Sequence, residues 1–116
     1  MINRTLPLLL ALGLTACASD PAPSEQMRLT EQALAQTKSL GVVSEQSVSL
    51  RQAEDKFALA QAAMQDGENK RARLLAEQAE LDARLAEAEH LSAKGREQLT
   101  ELNQRIGRLR QQLGAM

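Results

Sequence analysis

Apolar and polar positions divide this chain into one short apolar run followed by three periodic stretches. The run is Leu6 to Leu14, broken only by Pro7 and Gly13 and preceded by Arg4. It is much shorter than the roughly 20 residues a membrane-spanning helix needs. Periodicity begins after Asp20, Pro21 and Pro23. Ser24 is placed to cap a first helix through Lys38, with Met27, Leu34 and Leu40 as a weak apolar edge. Glu25 and Glu31 lie toward its positive end. Ser39 to Gln46, with Gly41, reads as a break. Ser47 to Asp66 forms a second helix whose seam is Leu50, Ala53, Phe57, Ala60 and Met64, widened by Ala58, Ala62 and Ala63. Gly67 suits the left-handed position that ends it. A third helix starts near Glu68 or Asn69 and runs to Leu113.

The third helix carries a heptad seam: Leu74, Gln78, Leu81, Leu85, Ala88, Ser92, Gly95, Leu99, Leu102, Ile106, Leu109, Leu113 and Met116. Its length is roughly 65–70 Å at 1.5 Å per residue, about twice that of the second helix. Ala88, Ser92 and Gly95 weaken its middle, where a bend or a close helix crossing is expected. The pattern therefore predicts an all-α protein. It is an antiparallel helical hairpin or a three-helix bundle with a long, coiled-coil-like C-terminal helix.

Composition narrows the chemistry. The 116 residues include one aromatic, Phe57, with no Trp or Tyr, and the apolar content is mostly Ala and Leu. Small side chains let helices approach closely but enclose little volume, so a large ligand pocket is not expected. The net charge is −1, which argues against nucleic acid as a partner. Cys17 is the only cysteine, so no disulfide forms within one chain.

The N-terminal run has the layout of an export signal: a positive start, an apolar stretch, then small residues. Leu14-Thr15-Ala16-Cys17 resembles the bacterial lipoprotein box. That resemblance implies that residues 1–16 are cleaved and that the Cys17 thiolate receives the lipid. Residues 17–24 then form a flexible tether and 25–116 an alanine-rich helical domain. Ala18 and Ser19 follow the cysteine where aspartate would imply inner-membrane retention, so the implied address is the outer membrane, facing the periplasm. The competing reading is ordinary cleavage after Ala16-Cys17-Ala18, which releases a soluble chain from Ser19.

A catalytic centre is not expected. Glu87-Ala88-Glu89-His90 contains a Glu-x-x-His spacing that di-iron bundles use in pairs, but His90 is the only histidine. It is read as a solvated residue on the outer face of the heptad. Glu77, Glu80, Asp82, Glu87 and Glu89 are read as a solvated helix face. No metal site, cofactor or catalytic set is expected.

Ala53-Glu54-Asp55-Lys56-Phe57, Ala60, Ala63-Met64, Asp66-Gly67, Ala72 to Ala79 and Asp82-Ala83 resemble the alanine-spaced pattern of the bacterial domain of unknown function 4398 family. Its members are small periplasmic or lipoprotein chains, some with an appended OmpA-like domain. The resemblance spans roughly Leu29 to His90. It implies two antiparallel helices packed through alanines around Gly67, and it carries no catalytic residues with it.

The distal end of the third helix is the candidate interaction surface. Leu99, Leu102, Ile106, Leu109 and Leu113 form a stripe beyond the reach of the second helix, flanked by Arg105, Arg108 and Arg110. With Lys94 and Arg96 these make the stretch basic against Glu97 and Glu101. The first helix, a second copy or another protein are the three covers open to it. A parallel self-pair sets Arg105 against Arg110, leaving an antiparallel self-pair or an acidic partner helix. The function expected is that of an outer-membrane-anchored periplasmic lipoprotein, a non-enzymatic structural or adaptor element. The membrane is its partner through the lipid, and an envelope protein, peptidoglycan or a second copy are the others. The alternative is an oligomeric coiled-coil spacer that contacts peptidoglycan. The chain closes on Gly114-Ala115-Met116 instead of the lysine of Braun-type lipoproteins, so that contact is expected to be non-covalent.

Overall fold

The computed structural model describes residues 20–116, so the expected signal, lipoprotein box and Cys17 lie outside the described residues. Three helices make up the described residues: α1 (Ser24–Ser39), α2 (Val48–Gln65) and α3 (Asn69–Gly114). Local chemistry accounts for most boundaries. The Ser47 hydroxyl accepts the Leu50 N–H at 3.1 Å and caps α2. Gly67 takes φ +76° between α2 and α3, and Gly41 takes φ +89° between α1 and α2. The start of α1 differs from expectation. Its cap is Pro23, whose carbonyl accepts from Met27 N–H at 2.9 Å, and Ser24 is the first helical residue. Proline suits this site because its missing N–H has no partner to lose there.

The helices run up, down and up. Thr30 meets Ala76 and Thr37 meets Ala83, an equal advance along both helices, so α1 lies parallel to α3. Lys56 meets Asp82 and Ser49 meets Glu89, an opposite advance, so α2 lies antiparallel to α3. The first helix thus packs on the hairpin and leaves the distal stripe uncovered. The chain enters at the Gly67 end, where Asn69 Nδ2 donates to the Asp20 carbonyl at 2.7 Å and Pro23 is buried.

The core is built from alanine. Ala53, Ala60 and Ala63 of α2 and Ala72, Ala76, Ala79, Ala83 and Ala86 of α3 are all buried. Ala33, Leu34, Val42 and Leu50 close the upper half, with Leu40 and Phe57 packed against them. Leu50 is the largest fully buried side chain. Phe57 and Met64, expected on the α2 seam, are only half-buried, and Ala58 and Ala62 are exposed. The Phe57 ring lies at the groove between α1 and α2 with one side open beside Leu34, Lys38 and Gln61.

Two buried threonines hold α1 in register. Thr30 Oγ1 lies 2.9 Å from the Ala76 carbonyl and Thr37 Oγ1 lies 3.0 Å from the Ala83 carbonyl. Each hydroxyl also lies 2.9 Å from the carbonyl four residues back on α1. One proton is shared between two acceptors, and a helix carbonyl has a second lone pair for it. Alanine makes the contact geometrically accessible, because its methyl lets the α1 side chain reach the α3 backbone.

Candidate interaction surface

α3 presents two stripes on opposite sides. Residues at positions Ala72, Ala76, Ala79, Ala83 and Ala86 face α1 and α2. The leucine seam faces the other way and is uncovered along its whole length. Leu74 is 54% exposed, Leu81 66%, Leu85 50% and Leu113 67%. The proximal leucines were expected on the covered part of the seam, and the structure corrects this. A helix that packs on two neighbours at once puts its smallest residues where three backbones converge. The bulkier leucines are left outside.

The distal half of α3 has no cover from α1 or α2. From Leu91 onward no residue is buried. Leu99, Leu102, Ile106, Leu109 and Leu113 form the expected stripe, flanked by Arg105 and Arg110, with Arg108 turned away from it. The helix passes through Ala88, Ser92 and Gly95 uninterrupted, and a Cβ placed on Gly95 would meet nothing within 4 Å. The close crossing expected there is absent among the described residues.

Charge is segregated along the flanks of the stripe. Beside the proximal leucines stand Glu77, Asp82 and Glu89, with Arg84 as the cation among them, while Glu80 and Glu87 turn toward α1. Beside the distal leucines stand Arg96, Arg105 and Arg110, while Lys94 and Arg108, with Glu97 and Glu101, lie farther round the helix. Most of the acids are not simply solvated, as the sequence suggested. Glu80 accepts from Gln26 at 2.8 Å, Glu87 from Gln36 at 2.9 Å, Glu89 from Ser49 at 2.9 Å, and Asp82 pairs with Lys56 at 2.5 Å. The Arg84 guanidinium, aided by Gln26, holds the Glu80 carboxyl below the ordinary carboxylate range. Lys38 and Ser44 do the same for Glu54. These polar bonds line the rims of the bundle and tie α1 and α2 to α3.

His90 is placed differently from expectation. The heptad face opposite the leucines is the bundle face, so His90 follows Ala76 and Ala83 inward. It is half-buried where the bundle ends, with Nε2 shielded and without a hydrogen-bond partner among the described residues. It lines an open cleft of about 440 Å³ with Val42, Gln46, Ser47 and Ser49. The described residues contain no group of three or more His, Cys, Asp or Glu side chains arranged to hold a metal ion. No helix of the described residues is long and apolar enough to cross a membrane.

Thr30 and Thr37 escaped the sequence reading because they are polar. Their signal was present: with Ala33 and Leu34 they repeat at steps of three and four along one edge of α1. The comparisons agree with this architecture. The family model described as Domain of unknown function (DUF4398) matches residues 25–102. The chain is similar to the crystal structure of a DUF4398 family protein from Pseudomonas aeruginosa PAO1. The two are 57% identical with a TM-score of 0.77, over 81% of this chain and 97% of that chain. A search of curated proteins finds no match. With the matched region spanning all of the bundle and the start of the overhang, the chain belongs to the DUF4398 family.

Proposed function

We propose that this protein is an outer-membrane-anchored periplasmic lipoprotein whose α3 stripe is its working surface, serving the envelope as a non-enzymatic structural or adaptor element. The observation that carries the reading is the uncovered leucine stripe along α3. An apolar stripe of this length is costly to leave in water, at about 25 cal/mol per Å². Contiguous exposed apolar surface of this kind marks an interaction site. The anchor rests on Leu14-Thr15-Ala16-Cys17 after an apolar run, and the outer-membrane address on Ala18 and Ser19.

Two experiments test the reading. Cys17→Ser is expected to abolish palmitate labelling and to leave an uncleaved precursor or a soluble product. Normal labelling of that variant removes the lipoprotein reading. Deleting Leu99 to Met116 is expected to leave the bundle folded, since its core ends near His90, while removing oligomerisation or partner capture. Loss of cooperative unfolding in the truncated chain would place the stripe inside the core instead. The basic flank of the distal half supports a second reading, a spacer that contacts the carboxylates of peptidoglycan without a covalent link. Pulldown of the lipidated protein with purified peptidoglycan, lost on reversal of Arg105, Arg108 and Arg110, tests it.

A further inference from the structure

We propose that the partner of the α3 stripe is a second copy of this chain, paired antiparallel. The proposal rests on the stripe being the working surface and names what covers it. Two observations carry it. The stripe is uncovered along the full length of α3, so a partner helix as long as α3 is needed to cover it, and another α3 supplies one. The flanking charge also favours one orientation over the other. Parallel pairing sets acid against acid, with Glu77 facing Asp82, and base against base, with Arg105 facing Arg110, and its one matched pair is Arg84 with Glu89. Antiparallel pairing lays each acidic proximal half on the other copy's basic distal half.

One register satisfies both the apolar and the charged positions. Leu81 faces Leu99 and Leu74 faces Ile106 of the second copy. Glu77 faces Arg105, and Asp82 faces Arg96. Leu91 meets its own counterpart at the two-fold axis, where Ala88 and Ser92 let the helices approach closely. The one like-charge contact is Glu89 with Glu89, and Ser49 already donates to that carboxylate. Leu109 and Leu113 reach the second copy's Gly67 end, where a shallow cleft is lined by Gly67, Arg71 and Leu74. The bundle lies on the opposite side of α3 and does not obstruct the pair. Asp20 leaves each copy at its own Gly67 end, so the two tethers emerge roughly 60 Å apart. A pair anchored at both ends lies along a surface.

The full-length chain carrying Cys17→Ser, which needs no lipid, provides the test by sedimentation equilibrium. A dimer is expected. Glu77→Arg and Arg105→Glu are each expected to weaken it roughly two- to tenfold, and the double variant to restore it. In the same background Leu91→Cys is expected to form a disulfide-linked dimer, and Leu81→Cys to do so only when mixed with Leu99→Cys. All these positions are exposed or half-exposed, so the monomer's helical signal should be unchanged. A monomer at all concentrations up to the solubility limit overturns the proposal. So does tighter association of Glu77→Arg, or self-crosslinking of Leu81→Cys, because both belong to a parallel pair. Palmitate labelling of the unmodified chain reports on the anchor separately, so either reading can fail without the other.

Discussion

Ala83→Leu is expected to destabilise the bundle by about 1–4 kcal/mol, although it exchanges one apolar residue for another. Ala83 is fully buried, and it packs in one cluster with Leu34, Leu50 and Ala53. A larger side chain forces α1 and α2 outward, and overpacking alone costs about 1–3 kcal/mol. The Ala83 carbonyl also receives Thr37 Oγ1 at 3.0 Å. Separation of α1 removes that acceptor and leaves the hydroxyl the Ala33 carbonyl alone, which adds up to about 1 kcal/mol. Domains of this size have about 5–15 kcal/mol in total. Urea unfolding of the variant measures the loss. The control is Leu81→Ala two residues earlier, where the larger side chain faces water. At dilutions where the chain is monomeric, that truncation is expected to change stability by less than about 0.5 kcal/mol. If the two variants behave in the reverse order, the assignment of the faces of α3 is wrong.

Leu50→Ala is expected to cost about 2–5 kcal/mol. Leu50 is the largest fully buried side chain and sits one turn inside α2, where Val42 closes the core from the α1–α2 connection. A cavity there is lined by Ala53, Ala83 and Ala86 beside Leu34 and Val42, and the alanine methyls are too short to fill it. Phe57→Ala removes more atoms yet is expected to cost less than burial of a full ring implies. One side of the ring is already in water, so less transfer free energy is lost and the gap left is open to solvent. Thermal midpoints of the two variants give the comparison. A larger drop for Phe57→Ala would make the aromatic the true centre of the core.

Helix limits were readable from the sequence because they depend on local chemistry. Ser47 has an oxygen where an N–H needs one, and Gly67 accepts a positive φ. Which side of α3 faces inward is a tertiary choice, and two stripes of the same period competed for it. Weighting by side-chain size selected Leu74, Leu81 and Leu85. The fold selects the alanines, since two helices must pack on α3 simultaneously and closeness outweighs bulk. His90 and the acids moved with that choice, because inverting α3 turns its outer face into its core. The distal stripe was legible on its own. No inversion alters a segment that neither α1 nor α2 reaches.

The parallel course of α1 and α3 has a mechanical meaning. Asp20 leads into the foot of α1 at the Gly67 end, while Ala115 lies at the far end of α3. Tension between those two points draws α1 and α3 past each other along their axes instead of peeling them apart. The Thr30 and Thr37 bonds, seven residues apart on α1, then share the load side by side and must yield together. A chain entering at the opposite end would open its bonds one after another at much lower force. The order of the helices therefore makes the bundle a shear joint between whatever holds its foot and whatever grips its overhang.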